Sequence, residues 1–242
     1  CRLLHRLILE SKVNPEEILA LSISSQGETL ICLDEDGQPL MNAIVWLDNR
    51  SEKEADEIRS RFGRRAVYEK SGQGDVTATW PATKILWLRK NRPDVFMKTQ
   101  KYMLLEDYLI FRLTGSCVCE ENLWASSLLY DINQDCWWEE MLGFLGITKN
   151  QLPIRKACGQ PVGPVTKQAA DGTGLAPGTL VVTGALDQTC GAVGSGKIFP
   201  GEVTETTGSC LAVSANLEHF IPYREGFPLT CQNHAVKGRY TI

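Results

Sequence analysis

Residues 180–194 read LVVTGALDQTCGAVG. Leu180 to Thr183 has the apolar pattern of a buried strand, and Asp187 follows it closely. Open α/β sheets bind ligands at the carboxyl ends of their strands, and the small residues around Asp187 leave room for a ligand to approach the backbone. A carboxylate there can accept a hydroxyl proton or bind a metal, or it can serve as the N-cap of a following helix. These roles are compatible, and the spacing alone does not choose between them.

The rest of the chain alternates between strand and helix patterns. Short apolar runs predict strands at 19–25, 29–34, 43–47, 203–206, 210–214, 229–232 and 239–242. Apolar residues at three- and four-residue spacing, or helix-ending glycines, predict helices at 50–62, 82–91, 108–113, 137–145 and 166–170. Hairpin turns mixed with helices indicate an α/β fold with a mixed β-sheet flanked by helices.

The composition excludes several classes of protein. Of 242 residues, 43% are hydrophobic and 22% are charged, which is typical of a globular chain and argues against intrinsic disorder. The net charge of −4 argues against nucleic acid as a partner. No run approaches the roughly 18 apolar residues of a membrane helix, so we expect no membrane association. The nine cysteines show no zinc spacing, which predicts buried thiols in a cytoplasmic protein without a bound structural metal.

Two loops that follow predicted strands carry candidate binding residues. Residues 24–28 (SSQGE) offer Gln26 and Glu28 to a ligand with hydroxyl groups. Residues 46–50 (WLDNR) place an aromatic ring, a carboxylate and a guanidinium close together, a combination that suits a sugar or polyol. The alternative is that Trp46 belongs to the core and that Asp48 or the next residue is the N-cap of the following helix.

Glycines mark two further candidate phosphate sites. Thr207, Gly208 and Ser209 form a small polar turn between two predicted strands, which can hold a phosphate or be an ordinary hairpin turn. Residues 191–197 (GAVGSGK) match the spacing of a P-loop. Ile198 stands where the metal-binding hydroxyl belongs, and Pro200 prevents the helix that should follow, so we reject a P-loop.

Taken together, these segments resemble the FGGY carbohydrate kinases, the family of glycerol kinase and xylulokinase. The motifs that carry the resemblance occur in the family's order over nearly the whole chain. They are ISSQGET (23–29), VWLDNR (45–50), ATKILWL (82–88), DYLIFRLTG (107–115), GALDQTCGAVG (184–194) and ETTGSC (205–210).

The resemblance implies an actin-like ATPase (ribonuclease H-like) fold and a set of site residues. Asp187 would be the general base, and the substrate contacts would be Gln26, Glu28, Trp46, Asp48, Thr79 and Gln188. Thr207, Gly208 and Ser209 would approach the phosphates of the nucleotide. Gly27 replaces the arginine of the glycerol kinase pattern and Thr79 replaces its tyrosine, and the Gln-Met-His of xylulokinases is also absent.

The resemblance also implies a domain organisation and an activity. Residues 1–242 would form most of the sugar-binding N-terminal domain, without its first strands and without the C-terminal nucleotide-binding domain. The whole protein would phosphorylate a sugar or polyol with ATP and Mg²⁺, could form a homodimer, and would need both domains for activity. The alternatives are a non-catalytic sugar-binding or sensing protein with the same fold and, with less support, a metal-dependent hydrolase built on Asp187 and Asp48.

Overall fold

We describe a computed structural model of the chain over residues 2–207, 211–226 and 229–242. The α-helices in these ranges are α1 (Arg2–Ser11), α2 (Glu52–Phe62), α3 (Arg64–Ser71), α4 (Pro81–Asn91), α5 (Pro93–Lys98), α6 (Leu105–Thr114), α7 (Glu121–Ala125), α8 (Glu139–Leu145), α9 (Lys167–Thr173) and α10 (Asp187–Gly194). Short 3₁₀ turns occur at Pro15–Glu17 and Lys149–Gln151. None of the helices in the described ranges is both long and apolar enough to cross a membrane.

The strands are short and form several small sheets. They are β1 (Ala20–Leu21), β2 (Ser24–Ser25), β3 (Ile31–Leu33), β4 (Lys101–Met103), β5 (Val118–Glu120), β6 (Tyr130–Asp131), β7 (Cys136–Trp137), β8 (Ile154–Lys156), β9 (Pro161–Pro164), β10 (Leu180–Val182), β11 (Ala185–Leu186), β12 (Val203–Thr207), β13 (Leu211–Leu217), β14 (Gln232–Asn233) and β15 (Tyr240–Thr241). In the sheet of order β1-β10-β9, one pairing is parallel and the other antiparallel. The predicted mixed sheet is therefore confirmed.

Two consecutive parallel pairings position the segment that contains Asp187. Strand β1 pairs with β10, with Leu21 opposite Val181, and β2 pairs with β11, with Ser25 opposite Leu186. Both segments are interrupted at the same level of the sheet, one between β1 and β2 and the other between β10 and β11. The two segments therefore run side by side through the interruption and leave the sheet at the same edge.

The core is organised around helix α4. This helix buries most of its length, including Ile85, Leu86 and Leu88, and α2, α5 and α8 pack against it. A second apolar cluster joins Ile8 of α1 and Val181 of β10 with residues of α6 and α9. The burial of such side chains is the main favourable term in folding, so these clusters fix the helices around the short strands.

The strand predicted at residues 43–47 is wrong. Only Ile44 pairs there, in an isolated bridge with Leu30, and a turn follows in which the Asp48 N–H donates to Val45 O at 3.0 Å. Val45 O also accepts a hydrogen bond from a lysine side chain of α4. Because these bonds satisfy the Val45 carbonyl outside a sheet, the apolar run AIVWL forms a loop instead of a strand.

Candidate active site

The parallel strands bring Gln26, Glu28 and Asp187 to one edge of the molecule. Ser25 and Leu186 are paired in the ladder, so Gln26 and Asp187 are each the next residue along their chains. Asp187 is exposed and is the first residue of α10, one position after the N-cap. Its Oδ1 accepts the Gln188 N–H at 2.7 Å. The N-cap alternative is thus wrong by one residue, and a negative charge in this first turn is favoured by the helix dipole.

Glu28 occupies a tight turn directly beside Asp187. Its φ is +58°, and the Thr29 N–H donates to Gly27 O at 2.7 Å across it, which makes Glu28 the centre of a γ-turn. Burial raises the pKa of the Glu28 carboxyl, hydrogen bonding to Ser126 and the charge of Lys84 oppose that rise, and the charge of Asp187 adds to it. The charge of Asp187 thus acts on Glu28 from the end of the neighbouring strand.

Lys84 connects the two candidate binding loops. This side chain of α4 is fully buried, and its Nζ donates to Glu28 O and to Val45 O, each at 3.0 Å. Burial lowers the pKa of Lys84 to about 8, while the carboxylates of Glu28 and Asp48 act in the opposite direction. One buried ammonium group therefore ties the loop of Glu28 to the loop of Trp46 and Asp48.

Asp48 and Arg50 form an ion pair with two hydrogen bonds. Arg50 Nε and Nη2 donate to the two carboxylate oxygens of Asp48 at 2.8 and 2.6 Å. The hydrogen bond from Arg50 is the largest cause that lowers the pKa of Asp48. The guanidinium also lies over the Trp87 ring, 4.9 Å from its centroid. Trp46, in the preceding turn, is partly buried, so this loop presents a ring and a paired carboxylate beside Lys84.

The remaining predicted residues lie on separate elements. Gln188 is exposed on the first turn of α10, next to Asp187. Thr79 is partly buried in the loop just before α4, the helix that carries Lys84. Thr207 is the last residue of β12, where its Oγ1 donates to Glu205 Oε1 at 3.3 Å. Gly208 and Ser209 lie outside the described residues, and no described hydrogen bond or ion pair joins Thr207 to Asp187.

Gly27 sits in a crowded position directly before Glu28. A Cβ atom at this residue would lie 3.1 Å from Leu186 Cδ1 and 3.5 Å from Ser126 Oγ. A larger residue would therefore press on the strand that carries Asp187. At position 27 this site therefore lacks the guanidinium that the arginine of the glycerol kinase pattern would supply.

The described residues do not fit a magnesium ion on their own. In ranges 2–207, 211–226 and 229–242, no group of three or more His, Cys, Asp or Glu side chains is placed to hold a metal. Magnesium prefers oxygen ligands such as carboxylates and the phosphates of a nucleotide. We therefore assign none of the described residues to magnesium binding.

Sequence patterns miss Lys84 and Ser126. Lys84 lies within the otherwise apolar buried run of α4, and a charge on a buried helix face is a usable signal because lysine is rarely buried without partners. Ser126 is buried directly after α7, where its Oγ donates to Leu123 O at 3.2 Å, and hydrogen bonding to it acts to lower the pKa of Glu28. No local pattern around Ser126 indicates this contact.

Comparison with known proteins identifies relatives over almost the whole chain. Residues 2–194 match the FGGY family of carbohydrate kinases, N-terminal domain. A xylulose kinase from Bacillus subtilis (strain 168) is 31% identical over 206 residues, which cover 85% of this chain and 41% of that protein. The chain spans about half the length of the curated relatives it matches.

Solved structures agree closely with the fold. The ligand-bound xylulose kinase from Lactobacillus acidophilus has a TM-score of 0.89 and 26% identity, covering 98% of this chain and 47% of that chain. The glycerol kinase from Plasmodium falciparum, solved with ADP, has a TM-score of 0.88 and 26% identity, covering 99% of this chain and 49% of that chain. Such kinase structures have an actin-like ATPase fold, so the fold class implied by the resemblance is confirmed. The chain belongs to the FGGY family of carbohydrate kinases.

Proposed function

We propose that the whole protein transfers the γ-phosphate of ATP to a hydroxyl group of a sugar or polyol, with Asp187 as the general base. The observation that carries this proposal is the shared edge at which Asp187 and Glu28 leave two parallel strands, next to the loop that Lys84 holds. The family membership of residues 2–194 supports the same reaction class. The xylulose and glycerol kinases named above are the relatives that suggest the substrate class.

Asp187 is suited to remove the proton of the accepting hydroxyl. Its carboxylate is exposed at a strand end and is held in place by the Gln188 N–H. As the hydroxyl oxygen forms its bond to the γ-phosphorus, the proton passes to Asp187 and the bond to the leaving ADP breaks. Phosphoryl transfer depends mostly on positioning and charge stabilisation, and a general base typically contributes about 10²–10⁴-fold to the rate.

Glu28 and its neighbours are suited to orient the substrate. The carboxylates of Glu28 and Asp48 accept hydroxyl hydrogen bonds, and the ring of Trp46 stacks on the C–H face of a sugar. Gln26, Gln188 and Thr79 supply further polar contacts from the strand end, α10 and the loop before α4. Lys84 acts behind them, because its ammonium fixes the backbone of both loops and offsets the charges of Glu28 and Asp48.

The nucleotide is proposed to approach from the hairpin that follows β12. Thr207, Gly208 and Ser209 are the candidate phosphate contacts, since backbone N–H groups of a small polar turn can bind phosphate oxygens. The relative solved with ADP supports a nucleotide as the second substrate. Magnesium, when bound with ATP, would neutralise phosphate charge, and no step here depends on the described residues as its ligands.

We propose that residues 1–242 form most of the sugar-binding domain. This proposal is supported by the match to an N-terminal family domain and by relatives about twice as long. Closure of a second domain over ATP would exclude water from the phosphoryl transfer. The isolated chain is accordingly proposed to be inactive, and the cytoplasm remains the proposed location of the whole protein.

The proposed function is tested by an ATP-consumption screen of the whole protein against pentuloses, hexuloses, polyols and sugar acids. Gly27 and Thr79 leave out the arginine and tyrosine of the glycerol kinase pattern, so we expect glycerol to be a poor substrate relative to a longer sugar. ATP consumption that depends on one compound, with a phosphorylated product, would support the kinase. Saturable sugar binding without any ATP consumption would instead favour the non-catalytic sugar-binding protein.

A further inference from the structure

The strand that leads to Asp187 is interrupted at residues 183–184. Residues 183–184 separate β10 from β11, opposite residues 22–23 between β1 and β2. A Cβ atom at Gly184 would lie 1.7 Å from Ile23 O, so the two backbones touch here and no side chain fits. The path of the chain at Gly184 therefore sets where Asp187, three residues later, emerges.

A buried carboxylate from another element holds this point. Glu106 lies in the first turn of α6 with 0% of its surface exposed, and its Oε1 accepts the Gly184 N–H at 2.7 Å. Its other oxygen, Oε2, has no hydrogen-bond partner among the described residues. A buried carboxylate without a cation is costly, which calls for a reason why it is placed there.

The neighbouring acid provides a contrast. Asp107 is also 0% exposed and also has one oxygen, Oδ1, without a partner among the described residues, but its Oδ2 accepts the Leu104 N–H and the Trp124 Nε1–H, both at 2.8 Å. Asp107 therefore stabilises the start of α6 and the core tryptophan. Of these two adjacent acids, only Glu106 contacts the strand that leads to Asp187.

We propose that Glu106 is a positioning residue for Asp187: by accepting the Gly184 N–H it fixes the interruption between β10 and β11, and with it the direction in which the strand presents the catalytic carboxylate. This inference rests on the proposed function, since it assigns Glu106 a role through the general base. Glu106 itself touches neither substrate nor nucleotide. It acts from α6 through one hydrogen bond to the backbone.

The protonation state of Glu106 does not remove this bond. Burial raises the pKa of Glu106 to about 7, and the Gly184 N–H opposes that rise. A neutral carboxyl group still accepts through its carbonyl oxygen, so an amide is a matched replacement. Glutamine at position 106 should therefore preserve the bond, whereas methionine of similar length removes it.

The test compares Glu106→Gln, Glu106→Met and Asp107→Asn in the whole protein. We expect Glu106→Met to lower kcat by about 10²-fold with little change in KM, since misplacement by about 1 Å can cost that much. Glu106→Gln should restore kcat to near the wild-type value, and Asp107→Asn should lower the thermal midpoint while leaving kcat close to normal. If Glu106→Met does not fold, Glu106→Asp, which keeps the charge but shortens the reach, replaces it with the same expectation.

A second measurement separates this inference from the proposed function. Hydrogen exchange of the peptide covering residues 180–190 should become faster in Glu106→Met and stay unchanged in Glu106→Gln and Asp107→Asn. A wild-type protein without any ATP consumption would refute the proposed function, while the exchange data would still decide whether Glu106 holds this strand. Unchanged exchange and kcat in Glu106→Met, or equal losses of kcat in Glu106→Met and Asp107→Asn, would overturn the inference.

Discussion

Glu28 is a strained residue in the proposed substrate site. A positive φ is uncommon for a residue with a side chain, and such backbone strain concentrates at functional sites. The surroundings hold it there through the γ-turn and through Lys84, whose Nζ bonds to the Glu28 carbonyl. The turn thereby holds Glu28 at the end of the strand that pairs with the one carrying Asp187.

We predict that Glu28→Ala weakens substrate binding more than turnover. Hydrogen bonds to a charged group contribute about 1.5–3 kcal/mol, so KM should rise roughly 10–100-fold while kcat falls less. Steady-state kinetics of the whole protein measure this. Asp135→Ala is the matched control, since Asp135 is also an acid with a positive φ but bonds to Tyr130 and Arg155 away from this edge. An unchanged KM in Glu28→Ala would remove Glu28 from the site.

At the residue scale, the sequence is most informative where a residue lies close after a strand. Asp187 follows β11 and Glu28 comes three residues after β2, so the edge of the sheet at which they lie could be predicted from strand ends. The role of Lys84 could not, because its partners Glu28 and Val45 are 56 and 39 residues away in the chain. Hydrogen bonds to backbone carbonyls at such separations leave no sequence pattern.

At the scale of elements, helices were predicted more closely than strands. The helices predicted at 50–62 and 82–91 correspond to α2 and α4, whose long apolar faces are encoded locally. The run predicted as one strand at 19–25 is divided into β1 and β2, and 43–47 forms a loop. Lys84 bonds the Val45 carbonyl outside a sheet, and the break between β1 and β2 lies opposite Gly184, whose N–H donates to Glu106. Such tertiary contacts override the local preference for a strand.

We predict that the two glycines on either side of Asp187 respond in opposite ways to alanine. Gly184→Ala places a Cβ against the Ile23 backbone oxygen, so we expect a loss of at least about 2–3 kcal/mol in unfolding free energy or a failure to fold. Gly191→Ala, in the middle of α10 with open space around it, should gain about 0.5–1 kcal/mol. Urea midpoints measure both. A tolerated Gly184→Ala would show that the strands do not touch as described.

We predict that Glu120 makes the stability of the fold depend on pH. Its carboxylate accepts the Leu123 N–H at 2.8 Å as the N-cap of α7, and burial raises its pKa from 4.5 to about 8. The folded state therefore binds the proton more tightly, so this contribution is complete below about pH 4.5 and is lost as pH rises through about 8.

Glu120→Gln keeps a carbonyl acceptor for the Leu123 N–H but does not titrate. The wild type should lose unfolding free energy relative to this variant between about pH 5 and 8, by an amount on the order of a few kcal/mol. Urea unfolding of both proteins across that range measures the difference in unfolding free energy. The other acidic residues are the same in both proteins, so their contributions to the pH dependence cancel in this difference. A constant difference would contradict the raised pKa.

At the scale of the whole molecule, the composition predicted a globular chain, the mixture of strand and helix patterns predicted its α/β class, and the family motifs predicted its fold. An active phosphoryl-transfer site must exclude water. The exposed position of Asp187 therefore fits the proposal that a second domain completes the site. Sequence patterns could not supply the partner surface or the identity of the sugar, because those depend on contacts outside these elements.

We predict that residues 1–242 alone consume no ATP above background at saturating sugar. The described residues include no cluster of three or more His, Cys, Asp or Glu side chains placed to hold a metal, and the proposed nucleotide contact Thr207 has no described bond to Asp187. A coupled ADP assay on the isolated chain and on the whole protein compares them. Turnover by the isolated chain would contradict the proposed division between the two domains.

The most direct test of the account is the kcat of Asp187→Asn in the whole protein, measured beside the Kd for its sugar. Asparagine keeps the size and the bond from the Gln188 N–H but cannot accept the hydroxyl proton, so kcat should fall by about 10²–10⁴-fold while the Kd changes little. Asp171→Asn, an exposed acid on α9, should leave both values unchanged. A near-normal kcat in Asp187→Asn would contradict the central claim that this carboxylate is the base.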